Sequence, residues 1–123
     1  MYTISKEYSF SASHQLNGLP EDHPCSRLHG HNYKVIITCA AEALFNVGFV
    51  RDYREIDKIA KPIIDRFDHQ HLNRLMPADD NPSAENIAKY LFEELKPLLG
   101  ELHSITVKET DKTSSTYSPY LRW

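Results

Sequence analysis

Tyr8-Ser9-Phe10-Ser11-Ala12-Ser13-His14 alternates strictly, with Tyr8, Phe10, Ala12 and His14 on one side of an extended chain and the serines on the other. That period of two predicts a half-buried strand, running approximately from Tyr2 to Ser13. A histidine on the apolar side of a strand needs a polar partner, and a metal ion is one such partner. Two more histidines follow in Cys25-Ser26-Arg27-Leu28-His29-Gly30-His31. Residues two apart leave the same side of an extended backbone, with Cβ atoms roughly 6–7 Å apart. That is close enough for one ion bonded at about 2 Å to each ring. Gly30 lets the backbone turn or approach a neighbour without a Cβ in the way. His14, His29 and His31 together describe a zinc site with an open position, the catalytic form. Cys25, four residues before His29, would close the site as a fourth ligand and make it structural. Spacing alone leaves both readings open, and a lone H-x-H pair is more often a surface or core feature than a ligand pair.

The 123 residues fit one domain spanning the whole chain, and 41% hydrophobic with 25% charged residues is a soluble globular composition. No apolar run approaches the ~18 residues of a membrane span. Met1-Tyr2-Thr3-Ile4-Ser5-Lys6-Glu7 lacks a basic region and an apolar core, so no signal peptide is expected and the cytoplasm is the default location. Two cysteines, Cys25 and Cys39, are too few for a disulfide framework. A net charge of −3 argues against a nucleic-acid partner, though not against a local basic pocket for a phosphorylated small molecule.

From Tyr33 to Ala41 the chain is β-branched and nearly continuously apolar, which predicts a second strand covered on both faces, with Cys39 a small buried hydrophobe. Asp52-Tyr53-Arg54-Glu55 has the form of a capping box. Tyr53, Ile56, Ile59, Ala60, Ile63, Ile64 and Phe67 then fall at helical spacing, and Pro62 predicts a kink or an early stop. His69 and His71 fall at that helix's C-terminal end, where imidazolium suits the helix dipole. Ser83 is the expected N-cap of a second helix carrying Ala84, Ile87, Ala88, Leu91, Phe92 and Leu95, ended by Pro97 and Gly100. A third strand from about Leu102 to Thr110 puts Glu109 on one face with Ile105 and Val107. A turn at Asp111-Lys112 then leads to a fourth strand, Ser115 to Leu121. The order β-β-α-α-β-β predicts an α+β layer, an antiparallel sheet with two helices on one face, whose free edges invite assembly.

Taken together, several motifs resemble the 6-pyruvoyl-tetrahydropterin synthase family, and cover nearly the whole chain. They are Phe10-Ser11-Ala12-Ser13-His14, Cys25-x-x-x-His29-Gly30-His31-Asn32-Tyr33, Phe67-Asp68-His69, Ser83-Ala84-Glu85-Asn86 and Val107-Lys108-Glu109-Thr110. The short gap between Cys25 and His29 is the form of the branch that makes 6-carboxy-5,6,7,8-tetrahydropterin. The resemblance implies a tunnelling fold, subunits joined edge to edge into a trimeric barrel, two trimers stacked as a hexamer, and active sites at subunit interfaces. It also implies zinc on His14, His29 and His31, a catalytic thiol at Cys25, an acid–histidine pair at Asp68 and His69, and a pterin anchor at Glu109. The implied reaction is that of a lyase on 7,8-dihydroneopterin triphosphate, releasing acetaldehyde and triphosphate, in queuosine or other 7-deazapurine synthesis.

These roles are chemically coherent. A thiol beside a cation ionises more readily and can act as a base. An aspartate can fix a histidine's tautomer where the backbone lets adjacent side chains meet. The 2-amino-pyrimidinone edge of a pterin offers two N–H donors to a carboxylate. His23, His71 and His103 receive no role, and capping accounts for Ser83 as well as ligand binding does. Lys108, Arg27, Lys34 and Arg51 are candidate triphosphate contacts. Three other readings compete: a pyruvoyl synthase that keeps the three-carbon side chain, a zinc-dependent GTP cyclohydrolase, and a non-enzymatic module with a structural zinc.

Overall fold

The computed structural model describes residues 1–45 and 47–121. At its centre β1 (Tyr2–His14) pairs antiparallel with β2 (His29–Ala41), Tyr2 against Ala41 and His14 against His29. A two-residue strand, β3 (Gln70–His71), runs parallel to β1 on its other side. On the far side β4 (Leu102–Lys108) pairs antiparallel with β2, and β5 (Ser115–Tyr117) with β4. The open sheet has the order β3-β1-β2-β4-β5. Its buried side chains lie on one face: Phe10, Ala12 and His14 from β1, then Tyr33, Val35, Ile37 and Cys39 from β2. Helices α1 (Tyr53–Asp65) and α2 (Ala84–Leu95) cover that face through Ile56, Ala60 and Ile64 and through Ile87, Leu91 and Leu95. The expected α+β layer is therefore present. Among the described residues no helix is long and apolar enough to cross a membrane.

Several expectations need correction. β2 starts at His29 rather than Tyr33, because a full-length partner strand carries His29-Gly30-His31-Asn32 into the ladder despite their weak strand preference. Its Ile36, Thr38 and Ala40 are only half-buried, so β2 is covered on one face. The segment after Phe67 is not a helix end: α1 stops at Asp65 and the chain returns to the sheet as β3, a strand too short to leave a periodic signal. α1 runs through Pro62, which sits on the exposed face, where water can satisfy the carbonyl left without a donor. Asp52 caps Arg54 N–H at 2.9 Å, but Glu55 accepts from Arg51 at 3.1 Å, so only half of the capping box forms. β4 ends at Lys108, leaving Glu109 just beyond it. β5 ends at Tyr117, where Ser118 turns its hydroxyl to the His103 carbonyl and Pro119 has no N–H for a ladder.

The one-sided burial gives a direct stability test. Ile37→Ala, at a position with no exposed surface, should cost about 2–5 kcal/mol by urea denaturation, whereas Thr38→Ala on the other face should stay within about 0.5 kcal/mol.

Candidate metal centre and the residues around it

The β1–β2 register sets His14 beside His29, while His31 shares the face of His29 and pairs with Ala12. Their ring centroids lie 4.4 to 5.1 Å apart, and one ligand nitrogen from each falls within 4.8 Å of the others. Gly30 makes the close pairing possible, since a Cβ there would stand 3.2 Å from the Ala12 carbonyl oxygen, a backbone atom with little room to yield.

Hydrogen bonds fix two of the tautomers. His14 Nδ1 donates to the Pro82 carbonyl at 2.7 Å, with the Tyr33 hydroxyl 3.1 Å from the same nitrogen. His29 Nδ1 donates to the Arg27 carbonyl at 2.7 Å. Each Nε2 is left with a lone pair, and the two Nε2 atoms face each other at 2.8 Å. Two lone pairs at that distance repel unless a proton or a cation stands between them. Opening to about 3.3 Å would place both on a tetrahedral zinc-sized ion. His31 Nε2 is buried without a hydrogen bond, although Glu109 Oε2 lies 2.9 Å away, out of line for one. The donor set therefore fits a divalent metal. Burial lowers the pKa of His14, favouring the neutral ligand form, with the Pro82 carbonyl acting in the opposite sense. Burial also raises that of the Tyr33 hydroxyl, which stays protonated.

Cys25 is half-buried on a single 3-10 turn, Pro24–Ser26, and is not a member of the metal-ligand cluster. Glu109 stands at His31, joining the expected pterin anchor to the histidines. Asp68 and His69 meet at 3.0 Å, which regular backbone would forbid to neighbours. His69 adopts φ +58°, a left-handed conformation costing a non-glycine residue about 1–3 kcal/mol. Bonding to Ser11 holds it there: His69 N–H donates to the Ser11 carbonyl at 2.6 Å, and Asp68 accepts from Ser11 N–H at 2.9 Å. The Asp68 carboxyl is held below its ordinary range, first by the Ser11 N–H and then by His69.

The His69 side chain is 82% exposed and lines an open groove of about 480 Å³ with Ser11, Ser13, Asn32 and His71. His71 bonds to Ser13 at 3.0 Å and His23 caps the Cys25 turn. Among the basic candidates, Arg51 is engaged by Glu55 and Glu101, Lys34 lies 3.4 Å from Asp111, and Arg27 contributes its carbonyl. The sequence reading missed the Pro82 and Arg27 carbonyls and the Tyr33 hydroxyl. A backbone carbonyl leaves no mark in residue identity, and Tyr33 reads as an ordinary aromatic of a strand.

This is an α+β sheet protein with a histidine cluster suited to a divalent metal at one end of its two longest strands. Residues 3–119 match the family described as 6-pyruvoyl tetrahydropterin synthase, and the chain belongs to that family. It is accordingly an enzyme of the pterin-synthase kind. It is 33% identical to 6-carboxy-5,6,7,8-tetrahydropterin synthase of Synechocystis over 98% of this chain and 97% of the relative. Human 6-pyruvoyl tetrahydrobiopterin synthase is also 33% identical, over 93% of this chain and 89% of its own. The solved 6-pyruvoyl tetrahydropterin synthase of Caenorhabditis elegans superposes with a TM-score of 0.85 at 29% identity, covering 95% of this chain and 94% of that one.

A carboxyl with a lowered native pKa contributes stability above its unfolded value of about 3.9 and loses it as pH falls through the native one. Asp68→Asn should therefore be less stable than the parent at pH 7, with the gap closing below about pH 4 in chemical denaturation run across pH.

Proposed function

We propose that the chain is a zinc-dependent carbon–carbon lyase converting 7,8-dihydroneopterin triphosphate and one water to 6-carboxy-5,6,7,8-tetrahydropterin, acetaldehyde and triphosphate. The observation that carries this reading is the convergence of three imidazoles with Cys25 outside the set. It favours a centre with a free position over a closed structural zinc, and neutral imidazole donors suit zinc. Zinc held by His14, His29 and His31 would supply positive charge against which a developing substrate oxyanion is stabilised.

Glu109 takes the 2-amino-pyrimidinone edge of the ring in a bidentate contact, exchanging its place beside His31 for the pterin N–H donors. Cys25 removes a proton from the substrate side chain. Asp68 fixes the proton of His69 on Nδ1, leaving Nε2 free to exchange a proton with substrate. The exposure of His69 at the sheet edge supports its serving a neighbouring subunit's Cys25. The edge of β1 from Tyr2 to Phe10 has no strand partner among the described residues, which supports assembly by edge pairing into a trimer and then a hexamer. The 6-carboxy product belongs to a cytoplasmic route to queuosine or another 7-deazapurine. The human relative at equal identity keeps a pyruvoyl product as the second reading, while the three-residue gap before His29 favours the carboxy one.

Zinc-loaded protein incubated with dihydroneopterin triphosphate should yield acetaldehyde and triphosphate in equal amounts; triphosphate without acetaldehyde would select the pyruvoyl reaction. Cys25→Ala should retain zinc and lose roughly 10²–10⁴-fold in turnover. His31→Ala should lose both metal and turnover, as read by metal analysis beside the assay. Zinc leaving with the thiol would make Cys25 a ligand instead.

A further inference from the structure

The turn that carries Cys25 has mostly local bonds: Cys25 N–H donates to His23 Nδ1, and Ser26 N–H to the His23 carbonyl, each at 3.0 Å. Its ties to the sheet come from Gln15 and Leu16, the two residues that follow β1. Leu16 N–H donates to the Cys25 carbonyl at 2.9 Å, and the Gln15 side-chain amide to the Ser26 carbonyl at 2.8 Å. Residues 15–17 are themselves gripped on either side of Leu16. Asn73 accepts from Gln15 N–H at 2.9 Å and donates to the Gln15 carbonyl at 2.7 Å. Asn81 accepts from Asn17 N–H at 2.9 Å and donates to the Asn17 carbonyl at 2.8 Å. Each carboxamide thus uses donor and acceptor on a single residue's backbone, reproducing the paired hydrogen bonds of an antiparallel ladder where β3 has already ended at His71.

We propose that the Asn73 and Asn81 carboxamides are positioning groups for Cys25, fixing where its thiol stands relative to the three histidines. This rests on the reading of Cys25 as the proton-removing base. Each amide reaches the thiol turn from a different part of the site. Asn73 lies in the turn directly after β3, so it joins the Cys25 turn to the segment bearing Asp68 and His69. Asn81 precedes Pro82, whose carbonyl orients His14, so it joins the same turn to a metal ligand. Without the amides, residues 15–17 would leave the sheet as an untethered loop and carry the thiol with them. A displacement of about 1 Å at a reacting group can cost on the order of 10²-fold.

Asn73 is the better position to test, because Asn81 also bears on His14. Asn73→Ala should lower kcat about 10- to 100-fold with KM within about threefold and zinc content unchanged. Asn73→Asp, which keeps the acceptor for Gln15 N–H but sets a carboxylate oxygen against the Gln15 carbonyl, should lower kcat as well; it decides the matter if the alanine variant does not fold. Iodoacetamide labelling of the zinc-loaded protein should change rate severalfold at Cys25. Cys39 stays silent, being fully buried with a thiol pKa pushed up to about 11 by that burial. In a Cys25→Ala background, adding Asn73→Ala should cause no further loss of kcat. Parent-like turnover and labelling in Asn73→Ala would overturn the proposal, as would an undiminished loss in the Cys25→Ala background. Cys25→Ala that turns over like the parent would instead remove the base assignment, and the labelling rate would then decide the positioning claim by itself.

Discussion

The antiparallel register of β1 on β2 is the constraint on which the remaining features depend. Tyr2 meets Ala41 at one end and His14 meets His29 at the other, without a bulge between them. Side chains alternate faces with a period of two, so a slip of one residue would send His29 and His31 to the opposite face from His14 and expose Val35 and Ile37. The apolar alternation and the histidine cluster are therefore specified together. The core residues that hold the register include Phe10 stacked on Tyr33 at 4.8 Å, and the Tyr33 ring in turn stands edge-on to those of His14 and His31.

The second half of the site is held differently. Asp68 and His69 lie on no regular element, and a left-handed histidine is a conformation that local energetics disfavours. Its persistence depends on both backbone groups of Ser11, one bonded to the Asp68 carboxylate and the other to His69 N–H. The strain brings two adjacent side chains within 3.0 Å, which neither helix nor strand allows. Side-chain amides complete the arrangement at residues 15–17, where no strand is left to pair. Regular hydrogen bonding thus places the histidine cluster, while strained or side-chain-mediated bonding places the groups assigned to proton transfer.

That division also explains what could be read from the sequence. His14, His29 and His31 were legible because period-two spacing maps directly onto one face of a strand. The stripe of α1 and the Ser83 cap were legible for the analogous helical reason. β3 was not, because two residues carry no period. The early start of β2 was hidden because His29-Gly30-His31-Asn32 is drawn into the sheet by β1 rather than by its own preference. The meeting of Asp68 with His69 needed a backbone angle that residue type does not encode. Asn73 and Asn81 act on the backbone of residues more than fifty positions away, a pairing that only the fold brings together.

A divalent ion held by the histidine cluster would couple metal to folding. The Nδ1 protons of His14 and His29 are committed to carbonyls, so the two Nε2 lone pairs confront each other at 2.8 Å. Without a cation, the fold must tolerate that repulsion or protonate a ring, and burial of His14 disfavours protonation. An ion between the nitrogens would relieve both costs, and part of its binding free energy would then appear as stability of the β1–β2 end. The Pro82 carbonyl belongs to this balance, since it alone fixes the tautomer of His14. The same carbonyls that orient the rings thereby turn the two Nε2 lone pairs toward the place where an ion would sit, a place that the strand register sets.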